Sequence, residues 1–363
     1  MKCSLYLIGE ALNGNAPMLR YIERHLADAG IVPERIFKST TPEIVCADLP
    51  LSPPETGTML IFCDPGNAAL IAREIATLTG DTVTLNGDTL LPSKAAVVSP
   101  VYFRVYTGSA SLHVISTETG DKLPELQVDT SAGSATTHLF DVDRAALKTL
   151  LRQLAEAYRV RCTLSEPVSG WTECRMHAER FGDLEGAQQQ LITHFPTALA
   201  KENIADWLIA ALSEANKTVT FAESCTGGLL SYYLTKESGA SGVFEGALVT
   251  YSNRLKATWI AVENGTLEAH GAVSSEVVTE MSAGAMEVAK ADYAIAVSGV
   301  AGPTGGTPQK PVGTVHVAVR SKEKLLTEKL NLQGDRNYIQ EQTVLHAVKM
   351  LLLIDKKTFF KIP

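Results

Sequence analysis

Short apolar runs of strand length alternate with amphipathic stretches of helix length along most of the chain. This alternation points to α/β layers built on largely parallel sheets. CSLYLIG (3–9) precedes a helical pattern over about 16–29, and TMLIFC (58–63) leads through Asp64-Pro65-Gly66 into NAALIAREIATLTG. Residues 98–140 break the rhythm, with β-branched and aromatic runs and turn signals that predict strands or hairpins. A helix near 143–159, the Pro/Ser/Gly patch SEPVSGW and the small strand–helix stretch TECRMHAERFGDLEGAQQQLITHF follow. Alternation then resumes. Helices are predicted at 202–215, 227–236, 253–260, 274–289 and 336–353, and strands at 218–222, 244–250, 292–298, 312–320 and 325–332. The last two strands make the C-terminal sheet mixed. Boundaries are expected near 165 and 197. They give an α/β domain over 1–165, a small α+β linking unit over 166–197 and an α/β domain over 198–363.

A chain of 363 residues with 45% apolar and 20% charged residues has the composition of a soluble protein with more than one core. A net charge of −8 supplies no general electrostatic footprint for nucleic acid or an anionic membrane, and neither is expected as a partner. No apolar run reaches membrane-spanning length, and the opening MKCSLYLIGEALNG meets Gly-Glu too soon for a signal peptide. The six cysteines (3, 46, 63, 162, 174, 225) form no C-x-x-C pair and the eight histidines no H-x-x-x-H pair. Free thiols in a cytoplasm are expected, with no metal site.

In the C-terminal part, polar and glycine-rich strings gather just beyond strand ends: AESCTGG (222–228), TYSNRLK (250–256) and SGVAGPTGG (298–306). Ligands of open α/β sheets bind outside the carboxyl ends of strands, so these loops predict one shared pocket. AESCTGG admits three readings: a helix cap, a cradle for a phosphate or oxyanion, and a nucleophile turn. It matches neither a P-loop nor the G-x-S-x-G elbow, since Ala222 and Thr226 replace the elbow glycines. A serine nucleophile needs a base. Lys256 qualifies only if desolvation or a neighbouring cation lowers its pKa. His270 is read as a surface or capping residue. In SGVAGPTGG, a long turn competes with a backbone lining for a nucleotide or sugar phosphate. Asp335 has the pattern of a helix cap, and Arg336 offers a bidentate fork to a phosphate.

AESCTGG, FEGALVTYSNRLK, HGAVS, SGVAGPTGG, KPVGTV and GDR occur in this order, and over about 199–357 they resemble the C-terminal domain of the CinA (competence/damage-inducible) family. The resemblance implies a nicotinamide-mononucleotide amidohydrolase. Such an enzyme converts the carboxamide to nicotinate mononucleotide and ammonia in pyridine nucleotide recycling, without a cofactor. It implies Ser224 as nucleophile and Lys256 as base, with Tyr251 and Asn253 positioning the amide and the lysine. The amides of Thr226, Gly227 and Gly228 are the expected oxyanion donors. Ser298, Gly299, Ala301, Gly302, Gly305, Gly306 and Arg336 would hold the ribose and 5′-phosphate, the alternative being that the glycine loop faces the nicotinamide ring. Cys225 is the rival nucleophile, because a helix N-terminus depresses a thiol pKa.

The N-terminal part is similar to the molybdopterin-binding-like first domain of that family, to which an ADP-ribose pyrophosphatase activity belongs. IGEALNGNAPMLRYIERHLADAGI matches its start, but LIFCDPGNAALIAREI stands where a glycine loop with paired aspartates is expected. One aspartate cannot hold the hard cation of a pyrophosphatase as a pair would. A degenerate, inactive first domain is therefore expected, supporting a homodimer. The rival reading, from a different class, is a nucleotide-binding regulatory protein without turnover.

Overall fold

A computed structural model describes residues 3–42, 56–107, 109–128, 134–179 and 181–360. The structure has the expected α/β class: among the described residues two mixed sheets and two antiparallel ones are layered with helices. The chain divides into two compact units, Met1–Gly133 and Ser134–Pro363. The division lies ahead of both expected boundaries. Residue 165 falls inside the strand Val160–Val168, which is hydrogen-bonded along Trp171–Ala178. The stretch expected to link two domains therefore belongs to the second unit, through strand pairing and a shared core.

The first unit holds a six-stranded sheet. Cys3–Ile8 lies between Arg35–Ser39 and Thr56–Cys63, and Ser109–Ser116 continues the parallel set. Tyr102–Thr107 and Ala96–Ser99 then add antiparallel strands, as the turn-rich 98–140 pattern predicts. Apolar residues of the central strands face both ways. Tyr6, Ile8 and Ile61 pack with Ile71 and Ile75 of the helix Pro65–Leu78, while Leu5, Leu7 and Leu60 pack with Ile22 and Leu26 of the helix Ala16–Asp28. Burial on both faces explains why these strands read as continuous apolar runs.

In the second unit, Ser134–Phe140, Val160–Val168, Trp171–Ala178 and Ala198–Leu199 form an antiparallel sheet covered by the helices Arg144–Tyr158 and Leu184–His194. The five-stranded sheet that follows has the order Phe244–Val249, Val219–Glu223, Tyr293–Gly299, Thr314–Ser321, Leu325–Asn331. The first three are parallel and the last two antiparallel. One face packs Phe221, Ile295 and Val317 against Leu208, Leu230 and Val344 of three helices, in a core that also takes in Phe140 and Trp171. The other face carries Ala222, Ala296 and Ala318 beneath Ile260, Val277 and Met281. Small residues there let the helices Asn253–Ile260 and Ser275–Ala289 sit close to the sheet. The two helices also cross closely: a Cβ on Gly284 would meet the Ile260 carbonyl oxygen at 1.9 Å. Glycine at 284 therefore helps fix the helix that bears Lys256.

Candidate active site

In register, Glu223 is level with Val249 on one neighbouring strand and Val297 on the other. The loops that leave these three positions are the three polar strings of the sequence, so the topology brings them to one edge. Ser224 follows directly, its amide donating to the Val297 carbonyl at 3.1 Å.

Lys256 lies on the helix Asn253–Ile260, which Ser252 caps by accepting the Leu255 amide at 3.2 Å. The helix turns the lysine inward, and the side chain is 1% exposed. Its Nζ is 3.0 Å from Ser224 Oγ, 2.6 Å from the Thr250 carbonyl oxygen and 3.3 Å from that of Tyr251. Burial lowers its pKa from 10.5 to about 8. As an ammonium the group can donate to all three oxygens; on losing a proton it can keep two N–H bonds on the carbonyls and turn its lone pair to the serine.

Cys225 does not share this environment. It is 5% exposed within the apolar core, and burial pushes its pKa up to about 12. The helix-start effect expected to activate the thiol is outweighed by desolvation. The thiol is protonated near neutrality, whereas Ser224 places its hydroxyl beside the buried Lys256 amine.

The turn after Ser224 differs from expectation in one respect. Gly227 and Gly228 have φ of +61° and +106°, and no atom lies within 4 Å of where a Cβ would stand. They are needed for the turn, and the space beside them is open. Their amides, however, are committed. Gly227 donates to the Ser224 carbonyl at 3.1 Å and Gly228 to Glu223 Oε2 at 2.9 Å. Neither is free to receive an oxyanion, so the expected donor set Thr226–Gly228 is corrected at these two positions. Thr226 is buried, and its hydroxyl also donates to Glu223, at 2.7 Å.

Glu223 is the residue that sequence reasoning missed, although it stands inside AESCTGG (222–228). Its position, a carboxylate ending an apolar strand and followed by hydroxyls and glycines, was the available signal.

Across the site, the Arg336 guanidinium donates to the Gly302 carbonyl at 2.9 Å and to the Tyr251 hydroxyl at 3.2 Å. The arginine thus joins the three-loop edge to the start of the helix Arg336–Ile354, which Asp335 caps by accepting the Tyr338 amide. Tyr251 is 61% exposed, and its hydroxyl faces Arg336 while its carbonyl faces Lys256. Asn253 is exposed at the first residue of its helix. His270 ends the helix Asn264–His270 at the surface, 3.7 Å from Glu276.

The residues of SGVAGPTGG divide by role. Ser298 is buried and donates to the Ala272 carbonyl at 2.7 Å, and Ala301 belongs to the core. A Cβ on Gly299, Gly302 or Gly306 would come within 2.7, 2.6 and 2.9 Å of Val315, Val312 and the Val312 amide respectively. Those glycines serve the packing of the loop on the start of the next strand. Gly305, at φ +88° with its nearest neighbour 3.8 Å away, is open. Among the described residues no group of three metal-ligating side chains is present, and no helix is long and apolar enough to cross a membrane.

Residues 201–354 match the model of the CinA C-terminal domain. A CinA-like protein of Fervidobacterium nodosum is 44% identical over 154 residues, 42% of this chain and 38% of that protein. A CinA-like protein of Thermotoga neapolitana is 35% identical over 218 residues, 58% of this chain and 53% of that protein. The chain therefore spans from under two fifths to about half the length of these curated relatives. The crystal structure of competence/damage inducible protein CihA from Agrobacterium tumefaciens is 36% identical, covering 42% of this chain and 93% of that one, with a TM-score of 0.41. Residues 201–354, which carry Ser224 and Lys256, are thus a domain of the CinA C-terminal family.

Proposed function

We propose that this domain is a serine amidohydrolase that converts nicotinamide mononucleotide to nicotinate mononucleotide and ammonia. The observation that carries the reading is the buried Lys256 amine, 3.0 Å from Ser224 Oγ and held by two backbone carbonyls. A binding module has no need of a desolvated amine beside a hydroxyl, because burying it costs free energy that ligand binding does not recover.

Ser224 Oγ attacks the carboxamide carbon as its proton passes to Lys256 Nζ. The tetrahedral intermediate collapses when the lysine ammonium returns that proton to the departing nitrogen, which leaves as ammonia. A water molecule then attacks the resulting ester. Lys256 takes the water's proton and returns it to Ser224 Oγ, releasing the carboxylate product. None of these steps calls for a metal or a cofactor. Arg336 would meet the 5′-phosphate, exchanging its bonds to Gly302 and Tyr251 for charge-assisted ones.

The first unit is proposed to lack ADP-ribose pyrophosphatase activity. It contains a cavity of about 770 Å³ lined in part by Asp88, Glu118 and Asp121, without a metal-ligating cluster among the described residues. A cytoplasmic homodimer fits this reading. Ammonia release from nicotinamide mononucleotide by the full chain, alongside Ser224→Ala, tests it. Tight binding of the nucleotide without ammonia would favour a regulatory binding protein.

A further inference from the structure

Glu223 is fully buried, yet the chemistry proposed above does not use it. Five donors converge on its side chain. Oε2 accepts from the Thr226 hydroxyl at 2.7 Å, the Gly228 amide at 2.9 Å and the Leu230 amide at 3.1 Å. Oε1 accepts from the Ser231 amide at 2.9 Å and the Ser231 hydroxyl at 2.5 Å. An ionised carboxylate is acceptor-only with about four lone-pair sites, so this shell suits a charged group. The N-cap residue Gly228 supplies no side-chain hydrogen bond to the helix Leu229–Thr235, and Glu223 satisfies the amides at the helix start instead.

We propose that Glu223 is a positioning residue for Ser224: a fixed internal anion around which the nucleophile turn is folded. The inference rests on the assignment of Ser224 as nucleophile. The turn leaves a strand end that pairs on both sides, and the Ser224 amide is held by Val297. Downstream, every donor that wraps back onto Glu223 lies two to seven residues beyond Ser224. Ser224 is therefore pinned between a sheet and a carboxylate that substrate does not touch. The helix start, which in other α/β proteins receives a phosphate, is here occupied by the chain's own charge. The anionic group of a substrate is left to Arg336.

Glu223→Ala removes the CH₂–COO⁻ group that acetate reproduces. With the full-length protein, two readouts are followed: ammonia release from nicotinamide mononucleotide, and the rate at which a fluorophosphonate probe labels Ser224. The variant is expected to lose about 100-fold in kcat and in labelling rate, with KM little changed, because misplacing a reacting group by about 1 Å costs that much. Added acetate is expected to restore about tenfold or more, the worth of charge-assisted hydrogen bonds, whereas chloride at the same ionic strength restores nothing. A folded Ala variant at the wild-type rate, or a slow one indifferent to acetate, overturns the proposal. Should the Ala variant fail to fold, Glu223→Gln decides on the same readouts. It is nearly isosteric but turns an amide nitrogen toward donors, so a loss is expected and a wild-type rate overturns the proposal. If the wild type releases no ammonia, the substrate assignment fails while probe labelling still reads the placement of Ser224.

Discussion

The two largest sheets of the molecule follow the same rule and end differently. In each, parallel strands buried on both faces bring loops to one edge. In the C-terminal sheet that edge holds a serine hydroxyl beside a desolvated lysine. In the first unit, the corresponding strand ends hold Asp64, packed so tightly on Gly9 that a Cβ there would lie 1.9 Å from Oδ2. Beside it, Asn13 Nδ2 donates to the carbonyls of Leu7, Gly9 and Ser39. One edge keeps a hydroxyl and an amine together in a buried setting, while at the other Asn13 spends its amide on the backbone. The position of a loop at a strand end is thus not enough to make chemistry; what counts is a group held in an unfavourable protonation environment.

That contrast can be broken in several ways. Ser224→Ala is expected to lower ammonia release by about 10⁴-fold or more, whereas Cys225→Ser stays within about threefold because its thiol is protonated and buried. Steady-state rates on purified variants check both, and a dead Cys225→Ser with an active Ser224→Ala would reverse the assignment. Next, Lys256→Ala is expected to cost about 10³-fold, the range of general-base catalysis. In the proposed mechanism the lysine works as its neutral amine. The rate at low substrate is therefore expected to rise with pH and level off above about 8, the value to which burial brings this group. A profile flat from 6 to 9 would show that Lys256 is not the base. Arg336→Ala is expected to raise KM by about tenfold with a smaller effect on kcat, as loss of one charge-assisted contact does. The smallest effect belongs to the other sheet. Asp64→Asn is expected to leave ammonia release within about twofold, and ADP-ribose with a divalent metal is expected to give no hydrolysis in wild type or variant. Pyrophosphate cleavage abolished by Asp64→Asn would erase the contrast between the two edges.

Much of this was legible in residue patterns. The strand–helix alternation located the C-terminal sheet, because apolar runs such as YAIAV and TVTF are long enough to mark buried strands. The spacing from Ser224 to Lys256 became meaningful once three loops were placed at one edge. The turn-rich 98–140 stretch gave its hairpin strands through β-branched content. Two things were not legible. The first division of the chain lies ahead of residue 165, because the pairing of Ser134–Phe140 with Trp171–Ala178 is non-local and has no local sequence signal. Glu223 is not distinguishable in the sequence, because a carboxylate beside a serine reads only as a neighbour of the chemistry. Its meaning lies in five donors that only the folded turn assembles. The glycines of 298–306 taught a related lesson. Three of them are explained by close packing on residues 312–315, which a composition count cannot distinguish from a ligand cradle.

The most direct test of the Ser224–Lys256 site is a time course of the full-length protein with nicotinamide mononucleotide, following ammonia and nicotinate mononucleotide together, with Ser224→Ala in parallel. Both products rising in equal amounts for the wild type, and neither for the variant, is the expected result. No ammonia from the wild type, or equal rates from both proteins, would contradict the assignment.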